Sequence, residues 1–142
     1  MNLTIEEIPA GDTKEEKQQR KQFIKDYYRL WATINPSKKV FNKSLNDFIN
    51  VRYISVDETA GQASHRYIST LAIMFLTEIL ESAVQKGIPK NADPVKKNQK
   101  GFEKIIAMEY RKKEFGVIKL IVGVKRGTKE KVQYCVTAIE NG

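Results

Sequence analysis

Cysteine and histidine are nearly absent from the 142-residue chain, which has one of each, Cys135 and His65. A lone cysteine excludes an intrachain disulfide, and together the two supply too few soft ligands for a structural zinc site. Mechanisms that need two histidines are excluded with them. Long apolar runs are also lacking: the longest, Leu71 to Leu76, has six residues, against the roughly 20 that a membrane span requires. The opening Met1-Asn2-Leu3-Thr4-Ile5-Glu6-Glu7 brings acid early and no apolar core, unlike a secretory signal. We therefore expect a protein of a reducing compartment, the cytoplasm, with no membrane partner. Catalytic spacings are missing too. No Asp-x-Asp, His-Glu-x-x-His or Cys-x-x-Cys occurs, so neither a metal nor another cofactor is expected. Lys125-Arg126-Gly127-Thr128-Lys129 has the composition of a phosphate loop without its two-glycine spacing or its strand-to-helix context. A serine triad would lack its nucleophile elbow.

What is present is a globular composition with an excess of positive charge. Apolar residues make up 41% and charged residues 30% of the chain, which excludes a disordered or fibrous protein. The length predicts one domain over 1–142, with an N-terminal extension and helix at 1–37 and an α+β body at 38–140. The net charge is +8, and the stretch from Lys86 to Lys131 holds fourteen Lys or Arg against five Asp or Glu. That stretch carries more than the whole excess. A polyanion is the usual partner of such a block, nucleic acid before an acidic protein; the alternative is a solvated surface that keeps the chain in solution.

The pattern predicts a short strand over Leu3–Ile8, then a helix from Lys14 to Ile34, capped by Asp12 or Thr13, with Glu15 and Glu16 in its first turn. Its polar first half, Lys14 to Lys21, is expected to project into solvent. Ser44-x-x-Asp47 predicts a turn of helix through Phe48, and Ile49 to Val56 a strand. The main buried helix is predicted from Ser64 or His65 to Lys86, closed by Gly87 as its left-handed cap and by Pro89. Lys90 to Gly101 reads as a polar loop. Strands follow at Phe102–Arg111, Val117–Lys125 and Val132–Ile139, joined by connectors short enough for antiparallel pairing. The expected class is α+β, with N-terminal helices packed on one face of a mainly antiparallel sheet that ends in a C-terminal β-meander.

Parity then separates the two faces of the sheet. Ile118, Leu120, Val122 and Val124, with Val132, Tyr134, Val136 and Ala138, are expected on the core face. Lys119, Ile121, Gly123 and Lys125, with Lys131, Gln133, Cys135, Thr137 and Ile139, are expected on the open face. An open face with lysines, an amide, a hydroxyl and a glycine suits a phosphodiester backbone, Gly123 allowing a ligand close to the main chain. Lys119, Lys129, Lys131, Gln133 and Arg111 are the nucleic-acid-binding candidates. For chemistry, the remaining option is metal-free RNA cleavage. The substrate's 2′-hydroxyl attacks the adjacent phosphate, cations stabilise the phosphorane, and His65, at the expected helix start, serves as base.

The runs Asn42-Lys43-Ser44-Leu45, Val51-Arg52-Tyr53-Ile54, Glu58-Thr59-Ala60-Gly61-Gln62-Ala63-Ser64, Gly123-Val124-Lys125-Arg126 and Val132-Gln133-Tyr134-Cys135 resemble small proteins of bacterial mobile elements and prophages. In layout, residues 38–140 are similar to polyvalent-protein-associated domains grouped with the barnase–EndoU–colicin–RelE-like nuclease fold. The resemblance implies helices on a four-stranded antiparallel sheet, acting on RNA from the sheet face. It places His65 where some such domains keep a histidine, and Lys125, Arg126, Tyr134 and Thr137 on the strands of the active face. EndoU-type enzymes use two histidines; with one, only a Lys/Arg-dependent mode remains. The catalytic candidates are thus His65, Lys125, Arg126 and Thr137, whereas parity turns Tyr134 into the core unless a bulge re-aims it. The expectation for function is an RNA-directed module of a mobile element, as a metal-independent ribonuclease or as a non-catalytic binding or interaction protein.

Overall fold

The computed structural model describes residues 7–96 and 99–139. Helix α1 (Lys14–Ile34) starts at Thr13, whose hydroxyl accepts from the Glu16 amide at 3.1 Å, and ends where Asn35 N–H and side chain both return to the Trp31 carbonyl. A hairpin of β1 (Lys39–Asn42) and β2 (Asp47–Asn50) follows. Helices α2 (Tyr53–Ala63) and α3 (Tyr67–Ala72), a short 3₁₀ turn at Ile73–Phe75 and α4 (Leu76–Ser82) complete the helical part. The two-residue strands β3 (Val84–Gln85) and β4 (Lys90–Asn91) lead into three long strands, β5 (Phe102–Lys112), β6 (Gly116–Lys125) and β7 (Lys131–Ile139).

The sheet order is β1-β2-β7-β6-β5-β3, with β4 also on β5, and every pairing is antiparallel except β2 with β7. This is an α+β architecture with the expected meander. All four helices bury their apolar residues on one face, where Ile24, Tyr28 and Trp31 of α1 and Leu76, Ile79 and Leu80 of α4 meet Ile106, Met108, Ile118, Leu120, Val122 and Val136. No helix among the described residues is long and apolar enough to cross a membrane.

Several local expectations are corrected. Lys43 to Asn46 form the turn of the β1–β2 hairpin, with Asn46 left-handed at φ 53°, and Asp47 opens β2 opposite Asn42. Buried Asn42 fixes that turn: its Oδ1 accepts from Leu45 N at 2.8 Å, and its Nδ2 donates to the Leu80 and Ala83 carbonyls at the end of α4. The strand expected at 49–56 stops at Asn50, and α2 begins at Tyr53. Helix α2 stops at Ala63 and α3 starts at Tyr67, two or three residues after the helix start expected at Ser64 or His65; the single helix expected from there to Lys86 is interrupted at the 3₁₀ turn and ends at Ser82. Gly87, at φ 71°, follows the β3 strand and caps no helix. Apart from Glu7 and Ile8, the strand expected at Leu3–Ile8 lies outside the described residues.

Arg20 explains the first helix break. It is fully buried, although the first half of α1 was expected to face solvent. Its guanidinium donates to the carbonyls of Ser64 (2.8 Å), Pro9 (2.8 Å), Gly11 (2.6 Å) and, at 3.5 Å, His65. Among the described residues no carboxylate forms a salt bridge with it. A buried cation must be hydrogen-bonded, and turning the Ser64 and His65 carbonyls toward Arg20 takes them out of the helical ladder.

Candidate nucleic-acid interface

The open face is set by the register of β5, β6 and β7. Glu109, Lys119 and Thr137 lie side by side; so do Ala107, Ile121 and Cys135, and then Ile105, Gly123 and Val132. Arg111 stands opposite Val117, a diagonal neighbour of Lys119 at roughly 7–8 Å. Lys125 is six residues further along β6, about 20 Å from Lys119 at strand rise. Lys119, Arg111 and Lys125 are exposed; half-buried Ile121 lies between Lys119 and Lys125 on β6, and half-buried Thr137 stands beside Lys119 on β7.

Strand β7 departs from simple alternation. The register with β6 steps from Ile121↔Cys135 to Val122↔Gln133, leaving Tyr134 as the extra residue of a bulge. Beyond the bulge the sides exchange. Gln133, expected on the open face, is fully buried on the helix side: Tyr28 Oη donates to its Oε1 at 2.8 Å and its Nε2 donates to Thr59 Oγ1 at 2.8 Å. It is therefore shut off from any nucleic acid. Val132 and Tyr134, expected in the helix-side core, instead join Phe102 and Ala92 in a second apolar cluster, the Phe102 and Tyr134 ring centroids 6.1 Å apart. Gly123 serves this cluster rather than a ligand. A Cβ there would stand 2.6–2.8 Å from the Phe102 ring, which already lies against the main chain.

Hydroxyl side chains cover the edge of β7 beyond its two-residue pairing with β2, a role with no periodic sequence signal. Thr59 Oγ1 accepts from Val136 N (3.2 Å), and Ser69 Oγ both accepts from Ala138 N and donates to Ala138 O (2.9 Å each). Ser55 Oγ donates to the Gln133 carbonyl. These groups from α2 and α3 satisfy main-chain atoms that an edge strand would otherwise present to another chain. Beside them the Cys135 thiol is pushed up to about 12, chiefly by burial and then by Glu58.

The other predicted residues separate into paired and free cations. Lys129 is paired with Glu103, whose carboxyl is held below its ordinary value first by that hydrogen bond. Lys131 lies 3.0 Å from Asp47, which is lowered in the same way. Arg126 donates to the Lys100 carbonyl at 3.4 Å. Arg111, Lys119 and Lys125 form no ion pair among the described residues, although Glu109 is in register with Lys119.

His65 is exposed in the α2–α3 turn, beside a polar hollow shared with Lys14, Lys17 and Lys21 of α1. That hollow belongs to the helical layer, and no residue of β5, β6 or β7 lines it. The four residues expected to act together in catalysis are not gathered in one place. Among the described residues no group of three or more His, Cys, Asp or Glu forms a metal-holding cluster. Comparison with family models, with curated proteins and with solved structures finds no match.

Proposed function

We propose that the chain is a cytoplasmic RNA-binding module that holds a phosphodiester backbone on the open face of its sheet and does not cut it. The observation that carries this reading is the set of unpaired cations on that face, Arg111, Lys119 and Lys125, while Lys112, Lys129 and Lys131 are all committed to carboxylates. Cations without an internal partner are available to phosphate. Half-buried Ile121 gives a base an apolar surface, and the Thr137 hydroxyl beside Lys119 offers both a donor and an acceptor to a ribose 2′-hydroxyl. RNA is favoured over DNA by this hydroxyl and by the resemblance to RNA-directed mobile-element domains. Binding is favoured over cleavage because a general base must lie within hydrogen-bond reach of the proton it takes, and His65 belongs to the helical layer.

The test is a titration of a fluorescent single-stranded oligoribonucleotide at increasing salt, with the RNA recovered afterwards. Three phosphate contacts predict a log–log salt slope of about −2, and the RNA is recovered at full length. Affinity that ignores salt, or cleavage that His65→Ala abolishes, would overturn the reading.

A further inference from the structure

A cleft of about 480 Å³ opens between the second half of α1 and the β2–α2 connection, a volume within the range of small-molecule sites. Among the described residues four cations line it, Lys25 and Arg29, one turn apart on α1, with Lys38 and Arg52, and Asp57 is the single carboxylate. Its apolar lining includes Tyr28, Val51 and Val56. At its mouth stands Tyr53, the first residue of α2, with 82% of its surface exposed.

The cations differ in what they already bind. Arg29 lies 3.3 Å from Asp26, and Arg52 Nη2 lies 3.0 Å from Glu130 Oε1, a charge contact without hydrogen-bond alignment. Lys25 and Lys38 form no ion pair among the described residues. The Lys38 backbone is held at the unusual φ of 54° by two hydrogen bonds, its N–H to Asn35 O (2.9 Å) and Val51 N–H to its carbonyl (2.8 Å). Left-handed backbone at a lysine is strained, and here it fixes the residue beside the cleft.

We infer that this cleft binds a nucleoside phosphate, through its base on the apolar lining and Tyr53 and its phosphate on Lys25 and Lys38. Other anions use only part of the site. Inorganic phosphate would leave the aromatic and aliphatic lining bare, and a fatty acid would need one cation and leave Asp57 without a donor. A nucleotide uses all of it: a flat π-face for Tyr53, two or more negative oxygens for the lysines, and a base amino or ribose hydroxyl for Asp57. No residue of β5, β6 or β7 lines the cleft, so the inference is independent of the sheet-face reading.

The test is calorimetry on the full chain with adenosine 5′-monophosphate, with inorganic phosphate and adenosine titrated separately. The nucleotide binds saturably, and each half-ligand binds at least about tenfold more weakly. Tyr53→Ala, at an exposed position that leaves the fold intact, and the double change Lys25→Ala/Lys38→Ala each weaken the nucleotide by about tenfold. The sheet-face change Arg111→Glu/Lys119→Glu leaves it unaltered. A 5′-phosphorylated oligoribonucleotide that displaces the nucleotide identifies an RNA end as the ligand's source, and failure to displace it identifies a free nucleotide; both support the site. Phosphate binding as tight as the nucleotide's, no saturable binding by about 10 mM, or an affinity that survives both cleft variants would overturn the inference.

Discussion

The two faces of the sheet use polar side chains in opposite ways. On the helix side, Arg20, Gln133, Tyr28, Thr59, Ser55 and Ser69 are buried and bonded to one another or to the main chain. On the far side, Arg111, Lys119 and Lys125 stand in solvent without an ion-pair partner among the described residues. A buried polar group left unbonded costs stability, whereas an exposed cation costs almost nothing until a ligand arrives. Substitutions on the first face should therefore register as lost fold, and on the second as lost binding.

The largest effect is expected at Arg20. Arg20→Met keeps the bulk but leaves four carbonyls short of a donor, so denaturant unfolding should show a loss of about 3–4 kcal/mol. A loss under about 1 kcal/mol would mean that water or a shifted backbone replaces it. Gln133→Leu comes next, at about 2 kcal/mol, because the Tyr28 hydroxyl is left buried without an acceptor. Adding Tyr28→Phe should recover part of that cost, which a double-mutant cycle measures directly.

Much of this contrast lies beyond the reach of sequence reading, for reasons that particular residues show. Strands β5 and β6 were legible because Ile118, Leu120, Val122 and Val124 alternate without interruption against Lys119 and Lys125, a period-2 signal that burial on one face enforces. The helix α1 was legible from its cap and its 3–4 spacing. The bulge at Tyr134 was not, since Val132 to Val136 contains no glycine or proline to mark it. The one extra residue of the bulge reversed the faces of Val132, Gln133 and Tyr134 and removed Gln133 from the candidate interface. The break between α2 and α3 was legible as a helix start near Ser64 or His65, but its cause, a buried arginine more than forty residues away in sequence, was hidden. The cleft was missed because its cations come from separate segments and become neighbours only after folding.

The alkaline limit sharpens the same comparison. Burial raises the Cys135 thiol to about 12 and the Tyr28 hydroxyl well above its ordinary 10, so the native protein keeps protons that the unfolded chain gives up. Stability is whole below about pH 9 and falls as pH rises toward 12, at up to about 1.4 kcal/mol per pH unit while Cys135 alone titrates in the unfolded chain. Unfolding midpoints at pH 7, 9 and 10.5 check the sign. Cys135→Ala should flatten the first part of the fall; an unchanged slope would assign it elsewhere.

The smallest effect on stability, and the largest on binding, belongs to the open face. Arg111→Glu/Lys119→Glu should shift unfolding by no more than about 0.5 kcal/mol. The most direct measurement of the central claim is the affinity of this variant for a single-stranded oligoribonucleotide at about 50 mM salt, beside the unaltered protein. A loss of at least about tenfold with a shallower salt slope is the predicted result; equal affinity and an equal slope would contradict it.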